Sequence, residues 1–308
     1  MDLVSANHLV LLWWNTGLAP PVPKIKATAD DREFVAAQIK AMRQAFDFGI
    51  FGLCEVQTSD LDEIMQGLGD PNLRTVDRSD RSGKRKFDIA LIYDETKVRL
   101  VDTLALVEQF GKRKFKLGDK MTFMTVNNEI VFDVVLSHWP SRRTIAEKDP
   151  MRAKLAGLLV DSLKELRKDP NALLVLMGDY NDDPFSPSLH ENLLATRDRE
   201  LARKNANFLY NPFWRLLGGP RSSSLHPTDD HSVCGTHYYN GGDYSEWFMF
   251  DQMIFTSSFL NHPKIYLDEN LTQIVSSPQL KERLSNRKTV CDHFPVTSTI
   301  KLKMRASS

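Results

Sequence analysis

The stretch LLVLMGDYNDDPF, residues 173–185, is apolar from Leu173 to Met177 and then delivers Asp179, Asn181, Asp182 and Asp183 before Pro184. On a strand that has just left a core, positions two apart point to one side, so Asp179 and Asn181 are expected to face a common site. Their oxygens suit a hard cation such as Mg²⁺ or Mn²⁺. An Asx turn closing the strand would use the same residue types. Other apolar runs end in the same way: LVLLWWNTG supplies Asn15, FGIFGLCEV supplies Glu55, and VFDVVLSHWPS supplies His138. EWFMFDQMIF carries Asp251 at a strand start, and RKTVCDHFPV places Asp292 and His293 just before another strand. A carboxylate inside an apolar run is expensive to bury unless something pairs with it, and a metal ion is one such partner.

The elements that must position these groups are mostly short runs rich in Val, Ile, Leu and aromatics. Strands are expected near 8–14, 48–55, 87–93, 98–107, 121–126, 130–137, 172–178, 250–257 and 294–302. The polar residues Asp94 to Lys97 between two such runs read as the turn of a hairpin over 87–107. Apolar spacing predicts helices over 31–46 and 151–168, and a short helix after the acidic block with Ser186 as N-cap and Pro187 at its first position. Strands, hairpins and interspersed helices exclude a purely parallel doubly wound sheet. They point to a mixed α/β (α+β) sandwich of two sheets with outer helices, expected to form one domain over 1–308. The polar stretch 218–245 is expected to be a surface loop within it.

Forty Lys plus Arg balance forty Asp plus Glu, which excludes attraction to nucleic acid or acidic membranes through net charge. Three cysteines, Cys54, Cys234 and Cys291, cannot all pair. With no transmembrane run and no secretory leader pattern at the N-terminus, they suggest reduced thiols in a cytoplasmic setting. Oligomeric state is not legible.

Read together and in order, Asn15 in WWNTG, Glu55 in CEV, His138 in SHWPS, the GDYNDDP block, Asp251 in FDQMIF and CDHFPV resemble the endonuclease/exonuclease/phosphatase superfamily, which contains the pancreatic-type deoxyribonucleases. The resemblance implies a four-layered α/β sandwich with its site at one edge of two packed sheets, and hydrolysis of a phosphate ester by water with Mg²⁺ or Mn²⁺. It further implies Glu55 as main metal ligand, with Asp292 and Asn15 completing or supporting the metal shell. Asp179 would orient or deprotonate water, and Asn181 would hold the phosphate or the Asp179 side chain. His293 would pair with Asp251, and His138 would approach the phosphate from the opposite side. Asp88 is the candidate partner of His138, or else a solvated strand end. Whether Asp179 or His293 is the general base stays open. Cys54 stands where relatives often have glutamine. His138 replaces the tyrosine common in abasic-site endonucleases, and Met177 and Asp251-Gln252 depart from the inositol polyphosphate phosphatase pattern.

Basic tracts at 74–86 and 112–120, with Arg142, Arg143 and Arg152, could track a phosphate backbone, or could be solvated turns. The aromatics of 207–214 suit base stacking less well than core packing. His226, His231, Cys234 and His237 superficially suggest zinc but match no usual spacing, and GTHYY is expected at the site rim. The leading expectation is a nuclease acting on DNA or RNA. A phosphatase or phosphodiesterase for a small phosphorylated molecule or lipid headgroup is the alternative, and a catalytically silent binding protein the third.

Overall fold

The structure, a computed structural model, describes residues 8–20, 26–79, 81–82, 85–86, 88–110, 113–218, 233–239, 241, 245–286 and 289–303. The main strands are β1 (His8–Asn15), β2 (Ile50–Cys54), β3 (Leu73–Asp77), β4 (Ile89–Asp94), β5 (Val98–Phe110), β6 (Arg113–Thr125), β7 (Val131–His138), β8 (Leu174–Asp179), β9 (Ala195–Thr196), β10 (Leu209–Tyr210), β11 (Asp251–Thr256), β12 (Ile265–Ile274) and β13 (Val296–Leu302). One sheet runs β12-β13-β1-β2-β4-β3 and the other β9-β10-β11-β8-β7-β6-β5. Each has one parallel pair at its heart, β1 with β2 and β7 with β8. Their neighbours β13, β4 and β11 run antiparallel to them. The C-terminal ends of the parallel pairs and the starts of their antiparallel neighbours therefore lie along the same edge of each sheet.

Strand alternation explains the four layers. Leu9, Leu11 and Trp13 of β1 pack between the sheets with Val134 and Leu136 of β7, Val175 and Met177 of β8, and Met253 and Phe255 of β11. The intervening Leu12 and Trp14 face α1 (Ala29–Phe46) and α2 (Thr58–Leu68). Val135, Leu174, Leu176 and Ile254 face α3 (Pro150–Ser162) on the opposite side. Each fully buried aliphatic or aromatic side chain contributes roughly 1.5–3 kcal/mol, and the two-sided burial explains why these strands read as nearly continuous apolar runs. Among the described residues, no helix is long and apolar enough to cross a membrane.

Several sequence expectations need correction. β4 and β5 are joined at the expected polar turn but belong to different sheets, so 87–107 is a corner and not a hairpin. Asp94 builds that corner: its Oδ1 accepts from the Thr96 backbone at 2.9 Å, and its Oδ2 receives Arg43 Nη2 of α1 at 2.7 Å. Ser186 does not cap a helix; its Oγ accepts from the Asp183 N–H at 3.1 Å, and a π-helical turn follows at Ser188–Asn192. The helix expected over 151–168 ends at Ser162 and is followed by a 3₁₀ turn at Leu166–Lys168, while α1 begins at Ala29, where Thr28 forms a capping box with Asp31. Sequence patterning missed α2, β3 and β12.

The Asp94 corner yields a first prediction. Burial raises the Asp94 carboxyl, but hydrogen bonds from Thr96 and Arg43 outweigh it and hold its pKa below the ordinary value. A carboxyl lowered by folding stabilises the protein above its unfolded pKa, and that contribution is lost as pH falls through the folded value. Asp94→Asn is expected to lose about 2 kcal/mol at neutral pH, with the difference from the parent shrinking below about pH 4 in denaturant titrations.

Candidate active site

Alternation carries the inward-facing series one step beyond the core. Leu9, Leu11 and Trp13 are followed on the same face by Asn15, Val134 and Leu136 by His138, and Val175 and Met177 by Asp179; Asp251 precedes Met253 and Phe255. Register brings them level, with Asp179 opposite both His138 and Asp251, and Asn15 opposite Cys54. Glu55 would alternate outward with Phe51 and Leu53, but its backbone turns left-handed (φ 56°), and its carboxylate meets Asn15 and His138 in the cleft. A left-handed glutamate is uncommon and is held only where surrounding contacts enforce it. Here the Glu55 carbonyl accepts from Ala19 N at 2.6 Å and Thr16 Oγ1 at 3.1 Å. Gly178 is fixed by close approach: a Cβ there would lie 2.1 Å from the Ser137 carbonyl oxygen.

Two histidine–carboxylate pairs face each other across Asp179. His138 Nδ1 lies 3.0 Å from Asp88 Oδ2, and its Nε2 lies 4.0 Å from Asp179 Oδ2 and 3.7 Å from Glu55 Oε1. His293 Nδ1 donates to Asp251 Oδ2 at 2.6 Å, and its Nε2 lies 3.8 Å from the same Asp179 oxygen. Asp88 is thus a buried partner and not a solvated strand end. Asn15 Nδ2 bridges Asp179 Oδ2 at 3.0 Å and Glu55 Oε1 at 3.3 Å, while its Oδ1 accepts from Gly17 N. It presents N–H groups to the acids and so braces them.

Asn181 stands differently from expectation. The strand ends at Asp179, and Asn181 sits in a left-handed turn (φ 51°), where its N–H donates to Asp179 Oδ1 at 2.8 Å and its Nδ2 to the Trp139 carbonyl at 3.0 Å. The Asx turn and the site are the same structure. Asp292 lies outside the close donor group of Glu55, although its charge acts on that carboxylate. Its side chain is 58% exposed, Nε2 of His293 is 3.8 Å away, and it groups with His237 and His293, whereas Glu55 groups with Asp88 and His138.

These contacts set the charges. Burial pulls the His138 imidazole down, but the charge and hydrogen bond of Asp88, with Asp179 and Glu55, hold its pKa at about 10. Burial likewise opposes, and Asp251 and Asp179 overcome, so His293 is raised well above its ordinary value. Asp179 would be raised by burial but is lowered overall by His293, His138 and Asn15. Glu55 is pushed up to about 7, first by burial and then by Asp292 and Asp88, against the two histidines.

Residues read only as core or rim also support the site. Trp13 Nε1 donates to Asp251 Oδ1 at 2.9 Å, leaving the other oxygen to His293. Its position two residues before Asn15 on a buried strand was the available signal. Thr236 Oγ1 accepts from the N–H groups of Phe250 and Asp251, each at 3.1 Å. His237 lies at the rim as expected, but Cys234 joins none of the close donor groups among the described residues. His226 and His231 lie outside the described residues.

Arg152 is no phosphate contact. It is buried, pairs with Asp182 (3.4 Å), and donates to the carbonyls of Pro140 at 3.0 Å and Ile145 at 2.7 Å. Arg152→Met, which strips Asp182 of its closest cation, is expected to destabilise the protein by about 3 kcal/mol in denaturant titrations. In the basic tracts, Arg78 and Lys116 both pair with buried Asp119, at 3.0 and 2.6 Å. In the aromatic stretch, Phe213 and Tyr210 are core.

The site opens into a cleft of about 1810 Å³, with Lys114, Lys116, Arg142, Arg143 and Lys148 among its lining, Tyr238, Tyr239, Trp247 and Phe248 as its aromatic walls, and buried Trp139 and Phe250 beneath them.

Comparison with known proteins agrees with this architecture. Among solved structures, the chain resembles the human Nocturnin catalytic domain with bound sulfate (14% identity, 96% of this chain and 95% of that one, TM-score 0.62). It also resembles a mannosyl-6-phosphatase of Bacteroides thetaiotaomicron (19%, 95% and 99%, TM-score 0.58) and TDP2 of D. rerio complexed with a single-strand DNA product (13%, 95% and 98%, TM-score 0.57). At these identities the likeness establishes the fold. No curated protein sequence matches. The profile of the Endonuclease/Exonuclease/phosphatase family matches residues 29–300. The chain therefore belongs to the endonuclease/exonuclease/phosphatase family, a superfamily of phosphoester hydrolases.

Proposed function

We propose that this protein is a divalent-metal-dependent phosphodiesterase acting on nucleic acid. The observation that carries the reading is the pair of imidazoles, each backed by a carboxylate, whose Nε2 atoms lie 4.0 and 3.8 Å from one oxygen of Asp179. A carboxylate held ionised between two imidazoles held protonated matches what hydrolysis of an anionic ester needs. Asp179 takes the proton of the attacking water. His138 and His293 donate from Nε2 to phosphate oxygens as negative charge builds. Asp251 and Asp88 orient the two rings and stabilise their charge, and Trp13 fixes Asp251 in turn.

The donor set fits a hard cation. Glu55 is a largely buried carboxylate, braced by Asn15 and raised first by burial and then by the neighbouring acids, and it would hold Mg²⁺ or Mn²⁺ with help from Asp292. Such an ion neutralises developing charge on phosphate and lowers the pKa of water.

The polymer preference rests on the cleft. At about 1810 Å³ it exceeds the roughly 300–1,000 Å³ usual for small-molecule pockets. Its exposed aromatic walls can stack bases, and Lys114, Arg143 and Lys148 on its rim can meet a phosphate backbone, while Lys116 and Arg142 are paired with Asp119 and Asp183. The test is hydrolysis of plasmid, single-stranded DNA and RNA beside mononucleotides, sugar phosphates and phospholipids with Mg²⁺ or Mn²⁺. Oligonucleotides are expected to have the highest kcat/KM, with a rate that falls as salt rises. Turnover of small phosphates with oligonucleotides untouched would overturn the nuclease reading, and silence toward every substrate would favour a binding protein.

A further inference from the structure

β5 (Val98–Phe110) is the last strand of its sheet, and among the described residues no strand pairs with its outer side. An unpaired edge presents a row of backbone donors and acceptors, and soluble proteins usually blunt it with charge, proline or a covering segment. This edge carries apolar side chains instead. Val101, Leu104 and Val107 are 58%, 51% and 46% exposed, so one strand holds three of the eight large hydrophobic residues that stand open to solvent among the described residues. From Val101 to Val107 the only charged residue is Asp102. The strand meets its own core through Leu100, between the sheets, and Leu106, on the side of α3. The three exposed residues have no partner of that kind.

Their spacing reads the same in both directions. Val101 and Val107 each stand three residues from Leu104. The two irregularities of the β5–β6 ladder, between Leu100 and Asp102 and between Leu106 and Val107, fall on either side of it and bound the segment. Antiparallel pairing of this segment with its own copy about Leu104 sets Val101 opposite Val107, Asp102 opposite Leu106, Thr103 opposite Ala105, and Leu104 opposite itself. Apolar residues then meet at both ends and at the centre, and no charge directly faces a like charge. A two-fold interface requires this, because every contact must recur in reverse. An edge that received a strand of an unrelated protein would place no such condition on its own sequence.

We propose that β5 is the interface of a homodimer in which residues 101–107 of two copies pair antiparallel about Leu104, joining two seven-stranded sheets into one. A strand pair roughly 24 Å long buries less than the about 800 Å² per partner typical of a stable complex, so the dimer is reversible and forms at micromolar concentrations. Neither the dimer nor its test rests on the hydrolytic reading above.

The test is sedimentation velocity of the parent and of Leu104→Lys from low micromolar to near-millimolar concentration. The parent is expected to pass from one chain mass to two. Leu104→Lys sets two ammonium groups directly opposite each other at an exposed position and is expected to dimerise at least about tenfold more weakly. Leu104→Cys gives a second reading that does not depend on the first variant folding. Residues directly opposite in an antiparallel pair have Cα atoms about 4.5–5.5 Å apart, within disulfide reach, so this variant is expected to crosslink under mild oxidation. The parent, whose Cys54 and Cys291 are buried and whose Cys234 lies far along the chain from β5, is not expected to do so. A parent that stays monomeric throughout, leaving the edge to another protein's strand, overturns the proposal. So does a dimer that Leu104→Lys does not weaken, or one that Leu104→Cys does not crosslink.

Discussion

Glu55→Gln is expected to lower metal-dependent phosphodiester hydrolysis by about a thousandfold at saturating Mg²⁺ while leaving the thermal midpoint unchanged or raised. The substitution keeps the volume and one oxygen but removes the charge. In the parent that charge is costly, since burial and the neighbouring Asp292 and Asp88 push the carboxyl up to about 7. A neutral amide relieves the repulsion and can still meet Asn15, so stability is not expected to fall. The variant separates two meanings of a buried glutamate. If it served only to brace the fold, Glu55→Gln would cost stability and spare activity. Side-by-side kinetics and melting curves give the answer.

The second large effect is expected at His293. His293→Ala removes the imidazole that faces Asp179 and is expected to lower kcat by about a thousandfold. Asp251→Asn leaves the ring in place but exchanges an ionised acceptor at 2.6 Å for a neutral amide, so about a hundredfold loss is expected, with the basic limb of the pH–rate profile moved to lower pH. The direction follows from the charges: Asp251 is among the groups that raise His293, and without its charge the imidazole loses its proton more readily. Equal losses in both variants with no shift in the profile would place Asp251 in a purely structural role.

Much of the site was legible because strand alternation is legible. In LVLLWWN the alternate residues Leu9, Leu11 and Trp13 point inward, and the next residue in that series is Asn15. The same count leads from Val134 and Leu136 to His138 and from Val175 and Met177 to Asp179. Glu55 broke the count, because a left-handed turn and not the strand aims it, and a single backbone angle leaves no mark on an apolar run. Asn181 was read as sharing a strand face with Asp179, whereas a turn closed by its N–H on Asp179 positions it and its side-chain amide meets the Trp139 carbonyl. The corner at Asp94 read as a hairpin because a polar turn specifies reversal and not which sheet the next strand joins. β12 was missed because its residues, from Asp268 to Gln273, are largely polar and sit on the sheet's outermost strand. Arg152 lay among candidate phosphate ligands because its buried partner Asp182 is distant in sequence and itself looked like part of the catalytic block.

The central claim is that strand ends from both sheets gather one divalent-cation-dependent phosphoester-cleaving centre. It is tested most directly by hydrolysis of bis(p-nitrophenyl) phosphate by chelator-treated protein before and after Mn²⁺ is restored. The account predicts silence without the ion, saturable recovery with it, and no recovery in Glu55→Gln. Full turnover in the chelated protein, or none at any Mn²⁺ concentration, would contradict it.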